Sequence, residues 1–138
     1  MENSITVETL VLADIDTAWV FWTEPKHIIN WNFASADWEC PLAEHDLKVG
    51  GTLKYHMAAK DGSVAFDFEG TFSKVEQPQL LEYTIKDGRR VSIQFIPERT
   101  ATKIIETFQI EESYPIEMQK DGWQAILNSF KRYVENNN

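Results

Sequence analysis

Glu106 is the residue of this chain whose type and setting most suggest chemistry. From Lys103 to Gln109, the residues Ile104, Glu106 and Phe108 share one face of a strand-like segment, opposite Lys103, Ile105, Thr107 and Gln109. Two facings are open. With the first set inward, a carboxylate enters apolar surroundings, where an unpaired charge costs several kcal/mol. It must then be protonated, hydrogen-bonded, hydrated or matched by a ligand. With the second set inward, which Ile105 suits, Glu106 is solvated. An inward Glu106 would find partners in Tyr55, Tyr83 or Tyr133, because a phenol offers both a donor and an acceptor.

The other chemistry-bearing residues read as structural. His27, His45 and His56 fall on a helix, before a turn and on a polar strand face, with no i, i+4 pair and no cysteine ligand near them. They are expected at the surface, and no metal site is expected. Cys40, the single cysteine, lies in Trp38-Glu39-Cys40-Pro41-Leu42 without an evident base and reads as a buried thiol on the side of Trp38. Glu111-Glu112, Asp14 and Asp16 read as surface charges or helix caps, so no acid–base pair and no catalytic residue is assigned. There is no nucleophile elbow, phosphate loop or dinucleotide fingerprint, and Gly50-Gly51 precedes a strand as a turn. No cofactor is expected.

The elements that position these residues follow from hydrophobic period. Ser4 to Leu12 is a first strand, and Asp14 or Asp16 caps a helix carrying Ala18, Trp19, Phe21 and Trp22. Pro25 interrupts that helix before a second short one at Lys26 to Trp31. Strand-like runs follow at Trp38–Leu42, Thr52–Ala58, Ser63–Val75, Leu80–Lys86, Arg89–Pro97 and Thr102–Ile110, with Gly50-Gly51, Asp61-Gly62, Gln77-Pro78 and Asp87-Gly88 as turns. Short connections predict an antiparallel meander. From Pro115 to about Val134 the period is helical, with Trp123, Ile126, Leu127, Phe130, Tyr133 and Val134 on one stripe. Gly122 interrupts that helix at about 1 kcal/mol relative to alanine, which predicts either close approach of the sheet or room for a ligand. Glu135 to Asn138 read as a frayed polar tail.

Alternation gives the sheet one aromatic face: Phe66, Phe68, Gly70 and Phe72; Leu53, Tyr55 and Met57; Leu81, Tyr83 and Ile85; Val91, Ile93 and Phe95. One helix covers six or seven strands only if the sheet curls around it. The expected class is therefore α+β, a curved antiparallel sheet wrapped around a long C-terminal helix, with two short helices after the first strand. At 43% hydrophobic and 25% charged, residues 1–138 are expected to form one domain. With 13 Lys+Arg against 22 Asp+Glu, the net charge of −9 argues against nucleic acid and anionic membranes as partners. No apolar run is long enough for membrane insertion, and a lone cysteine without a signal-like segment points to the cytoplasm.

The order of elements, together with Ala18-Trp19, Trp22-Thr23-Glu24-Pro25, Trp31, Asp46-Leu47-Lys48-Val49-Gly50-Gly51, Gly70-Thr71-Phe72, Pro78 with Leu80 to Tyr83, and Gly122-Trp123 with Leu127 and Tyr133, resembles the helix-grip fold of the START-like, birch-pollen-allergen-like superfamily. More narrowly, it resembles the family named for activators of the heat-shock chaperone ATPase. That resemblance implies a cavity between sheet and final helix and the inward facing of Glu106. The residues it nominates for ligand contact are Trp22 and Trp31 of the short helices; Tyr55, Phe66, Phe68, Tyr83, Phe95 and Glu106 of the sheet; and Trp123, Leu127 and Phe130 of the last helix. The leading expectation is a protein that binds an apolar or amphipathic small molecule. The alternatives are a chaperone-regulating or other protein-interaction module, and a cavity-based enzyme using Glu106. Oligomeric state is not read from the sequence.

Overall fold

The alternating segments are realised as seven strands in a computed structural model that describes residues 1–138. In chain order the elements are β1 (Ser4–Val11), α1 (Ile15–Thr23), α2 (Pro25–Ile28), β2 (Trp38–His45), β3 (Thr52–Ala59), β4 (Ala65–Glu76), β5 (Leu80–Ile85), β6 (Arg90–Glu98), β7 (Ala101–Gln109) and α3 (Ile116–Asn137). The strands form one antiparallel sheet in the order β1-β7-β6-β5-β4-β3-β2. This is the α+β architecture expected from the sequence, a curled sheet holding a long C-terminal helix. No helix is long and apolar enough to cross a membrane.

Register turns the alternation into a continuous inner face. Tyr55 pairs with Phe68 and Met57 with Phe66 between β3 and β4. Phe72 pairs with Tyr83 between β4 and β5, and Leu81 with Ile93 between β5 and β6. Across β6, β7 and β1 the row Ile93, Glu106, Val7 runs to the sheet edge. Leu127, Phe130 and Val134 of α3 lie against this face with no exposure, in one core with Trp19, Trp22 and Trp31. Asp14, not Asp16, caps α1 by accepting from the Thr17 amide at 2.8 Å.

Three expectations change. First, β2 extends beyond Leu42 to His45 and α2 stops at Ile28. Pro41, which has no N–H for the ladder, falls in the irregular register between Glu39 and Leu42. That break hid the continuation of the strand.

Second, the tail is not frayed. β1 is an edge strand whose outward backbone groups recur at Glu8, Leu10 and Leu12, and α3 covers them in turn. Gln124 Nε2 donates to the Glu8 carbonyl at 3.2 Å and Lys131 Nζ to the Leu10 carbonyl at 2.7 Å. The Leu12 amide donates to Glu135 Oε2 at 2.9 Å, and Asn138 Nδ2 donates to the Leu12 carbonyl at 3.0 Å. Lys131 also holds Glu135 at 2.7 Å, one helical turn away.

Third, nothing approaches Gly122: a β-carbon built there meets no atom within 4 Å. The tight glycine is Gly51, where a β-carbon would lie 2.0 Å from the Asp46 carbonyl oxygen. Gly122→Ala is therefore expected to stabilise the fold by up to about 1 kcal/mol. Gly51→Ala, forced against backbone, is expected to destabilise it by about 1–3 kcal/mol. Urea unfolding midpoints of the two variants against the parent chain check both signs.

Candidate functional site

The curl leaves a pocket of about 190 Å³ between the inner face, α3 and the segment after α2. Its walls are Trp22 from α1, Trp31 and Asn32 beyond α2, Tyr55 and Met57 from β3, Phe66 and Phe68 from β4, Tyr83 from β5, Glu106 from β7, and Trp123 and Ile126 from α3. Asn32 and Glu106 are its only members outside the hydrophobic and aromatic types. Phe66, 49% exposed, marks the side on which the pocket meets solvent.

Each wall is held from behind. Trp31 is fixed by its indole N–H, which donates to the Phe21 carbonyl at 3.0 Å. Trp22 meets Trp31 at 4.9 Å between ring centres, and Phe130 stands edge-on to both at 4.8 Å. Phe95 does the same beneath Trp19 and Trp22, at 5.3 and 5.8 Å. Trp123 is stacked on Phe108 with centroids 4.1 Å apart, and Tyr55 and Phe68 form a parallel cross-strand pair.

Eight of the nominated residues thus converge on one pocket: Trp22, Trp31, Tyr55, Phe66, Phe68, Tyr83, Glu106 and Trp123. Phe95, Leu127 and Phe130 lie outside its lining, fully packed in the core that supports it. Asn32, Met57 and Ile126 join the lining without having been nominated. Met57 and Ile126 were on the right faces, so alternation and the helical stripe could have found them. Asn32 had no signal, because a polar residue after a short helix looks like loop. Its Nδ2 is turned inward toward Met57 Sδ at 3.5 Å and Cys40 Sγ at 3.9 Å.

Glu106 faces inward at 5% exposure, between Val7 and Ile93. Burial alone pushes its carboxyl up from 4.5 to about 8, because no hydrogen bond or neighbouring cation offsets the lost hydration. It is therefore a neutral acid over most of the physiological range. Tyr83 is also pushed up, first by burial and then by Glu106. Tyr55 is raised by burial, with smaller contributions from Cys40 and Glu106.

Two tyrosines do not serve Glu106 as the sequence allowed. Tyr133 is turned to His27, whose Nδ1 lies 2.8 Å from the phenol oxygen. The Tyr55 hydroxyl is bonded to His45 Nε2. Burial drives His45 down to about 4, so the ring is neutral, while the Thr23 backbone opposes that shift without forming a hydrogen bond. His45 Nδ1 is consequently sealed in without a partner. The tautomer of the ring sets which partner of the Tyr55–His45 bond donates. The surface expectation fails for His45, whose place at the end of β2 sets it against Tyr55 and edge-on to Phe72. It fails for His27 too, which is stacked on Phe21 at 4.1 Å and lowered chiefly by burial. His56 is half-exposed on the polar strand face, 2.8 Å from Asp67.

The arrangement offers an aromatic enclosure with one unpaired acid. Its lining holds no serine, threonine or cysteine, and no group of three or more His, Cys, Asp or Glu converges to hold a metal ion. Apolar walls with one or two polar groups are the general make-up of pockets that take small molecules.

Comparison with known proteins agrees with this architecture. No curated protein matches the chain. Among solved structures, the chain is similar to the AHSA1-like protein from Aeromonas hydrophila, with 46% identity and a TM-score of 0.91 over 96% of this chain and 92% of that one. It is similar to Chr148 from Cytophaga hutchinsonii, with 53% identity and a TM-score of 0.84 over 98% and 94% of the two chains. CV1439 from Chromobacterium violaceum, at 21% identity, shares the fold with a TM-score of 0.87 over 96% of this chain and 98% of that one. The model of the family described as activator of Hsp90 ATPase homolog 1-like protein matches residues 12–135, and the chain belongs to that family.

Proposed function

We propose that this protein binds an apolar or amphipathic small molecule in the pocket between the sheet and α3, in a cytoplasmic setting. The observation that carries the reading is the enclosure itself: an aromatic-walled space beside a packed core, with one unpaired acid aimed into it. At about 190 Å³ it is smaller than the roughly 300–1,000 Å³ of sites for drug-sized ligands. It suits one ring or a short branched group, with any longer portion leaving past Phe66. Trp22, Trp31, Tyr55, Phe66, Phe68, Tyr83, Glu106 and Trp123 are the contacts, while Phe95, Leu127 and Phe130 keep the walls in place. A second reading, regulation of a chaperone ATPase through a protein contact, is favoured by the family's description alone. A change in a chaperone's ATPase rate on adding the protein would support it.

Retaining an unpaired acid has a stability cost whose sign follows from its shift. Its folded value of about 8 lies above the ordinary 4.5, so burial is tolerated fully below about pH 4.5. Stability is then lost as pH rises toward 8, at about 1.4 kcal/mol per pH unit from this residue. Glu106→Gln should remove that slope, so the variant gains on the parent chain between about pH 5 and about pH 8. Urea unfolding across that range measures it, and a pH-independent difference would show that the acid is not buried as a neutral group.

Native mass spectrometry of freshly purified protein, followed by denaturation, would identify a retained small molecule. Saturable quenching of tryptophan fluorescence by small aromatic compounds is the solution test. Ile126→Trp, which fills the pocket from the half-buried side of α3, should reduce binding at least about tenfold, about 1.4 kcal/mol. Circular dichroism would confirm that the variant keeps its fold, and unchanged affinity in a folded Ile126→Trp protein would locate binding elsewhere.

A further inference from the structure

Resting on the pocket-binding reading, we infer that the occupant presents a cationic nitrogen, held by the Glu106 carboxylate against the aromatic walls. Glu106 is 5% exposed and lines the pocket with no protein group bonded to its carboxyl. A carboxyl oriented this way is incomplete without a counterpart from the ligand. The remaining walls are chiefly Trp, Tyr and Phe rings, whose π faces attract a nearby cation when water is excluded. No Lys, Arg or His belongs to the lining, so an anionic ligand would meet a carboxyl and aromatic rings with nothing to neutralise it. The net charge of −9 adds a field that favours cations over anions on approach.

The surrounding groups leave this role to Glu106. Val7 and Ile93 flank it, and α1 and α3 bring Trp22, Trp123 and Ile126 to the pocket, none of them titratable. Of the titratable neighbours, Tyr83 and Tyr55 are pushed up and remain phenols, and the Cys40 thiol behind Tyr55 is pushed up as well. His45 is neutral above about pH 4 and is already bonded to Tyr55. The Tyr55 oxygen, bonded to His45, keeps a lone pair as a further acceptor for an ammonium ion. Between about pH 6 and about pH 9 the pocket's charge changes through Glu106.

A permanent cation binds the ionised form of Glu106 and displaces its proton to solvent. Affinity therefore rises roughly tenfold per pH unit up to about pH 8 and then levels off. A neutral ligand that accepts a hydrogen bond from the protonated acid shows the reverse, weakening as pH rises. Phenyltrimethylammonium and tert-butylbenzene have the same shape and differ in charge, which makes them the probes. Calorimetric titration of the full chain with each, at about pH 6 and about pH 8 in two buffers of different ionisation enthalpy, is the experiment. The expected result is preferential binding of the ammonium compound at the higher pH, with close to one proton released at the lower pH. Glu106→Gln should lose both the preference and the pH dependence. Where that variant does not fold, the proton release and pH profile of the parent chain decide. Equal or stronger binding of tert-butylbenzene at both pH values overturns the cationic assignment while leaving the pocket reading intact. Binding of neither compound overturns both.

Discussion

A seven-stranded sheet with one apolar face has to be covered, and this chain has one long helix for the task. Strands stand about 4.8 Å apart, so a flat sheet of this size would span roughly 30 Å, against about 10–12 Å for a helix with its side chains. The sheet therefore curls around α3, and α1 and α2 close part of what remains. Leu127, Phe130 and Val134 fill the grip completely, whereas Trp123 and Ile126, nearer the start of α3, meet the wider end. The pocket is the part of the concave face that the helix does not fill.

The same geometry governs the polar groups. The free edge of β1 is met by α3, whose polar side chains satisfy backbone groups at alternating residues. That arrangement fixes the helix along the sheet edge as well as against its core, and shields a strand that could otherwise pair with another chain. At the opposite end of the sheet, β2 carries His45 inward, where it engages Tyr55. The resulting pair orients a wall of the pocket and leaves Glu106 to face the interior without a protein partner. The unpaired acid and the partnerless His45 Nδ1 are the two places where the interior leaves a polar group without a protein partner.

The roles of the aromatic residues separate in the same way. Phe95 and Phe130 support tryptophan rings from the core side, so their removal would disturb the pocket by letting its walls move. Phe66 and Trp123 border the space directly and would alter its shape without a comparable loss of core. Sequence spacing assigns all four to an inner face. It does not distinguish wall from foundation, because both have the same alternation and much the same side-chain size.

The sequence by itself determined the class, the order of the elements, the meander and the inner face, because these rest on local period and turn chemistry. Ile104, Glu106 and Phe108 were legible as one face, as was the stripe of α3 from Trp123 to Val134. Tertiary structure decided which face of β7 turned inward, since Ile105 made either choice acceptable locally and only pairing with Ile93 and Val7 resolved it. It also decided that His45 and Asn32 are enclosed, that Gly122 is uncrowded, and that Glu135 and Asn138 are docked rather than frayed. Each of these depends on atoms far away in sequence, often on backbone carbonyls and amides that carry no side-chain signature. The volume left inside the grip depends on them too, because a cavity is the difference between the curvature of the whole sheet and the side chains that fill it.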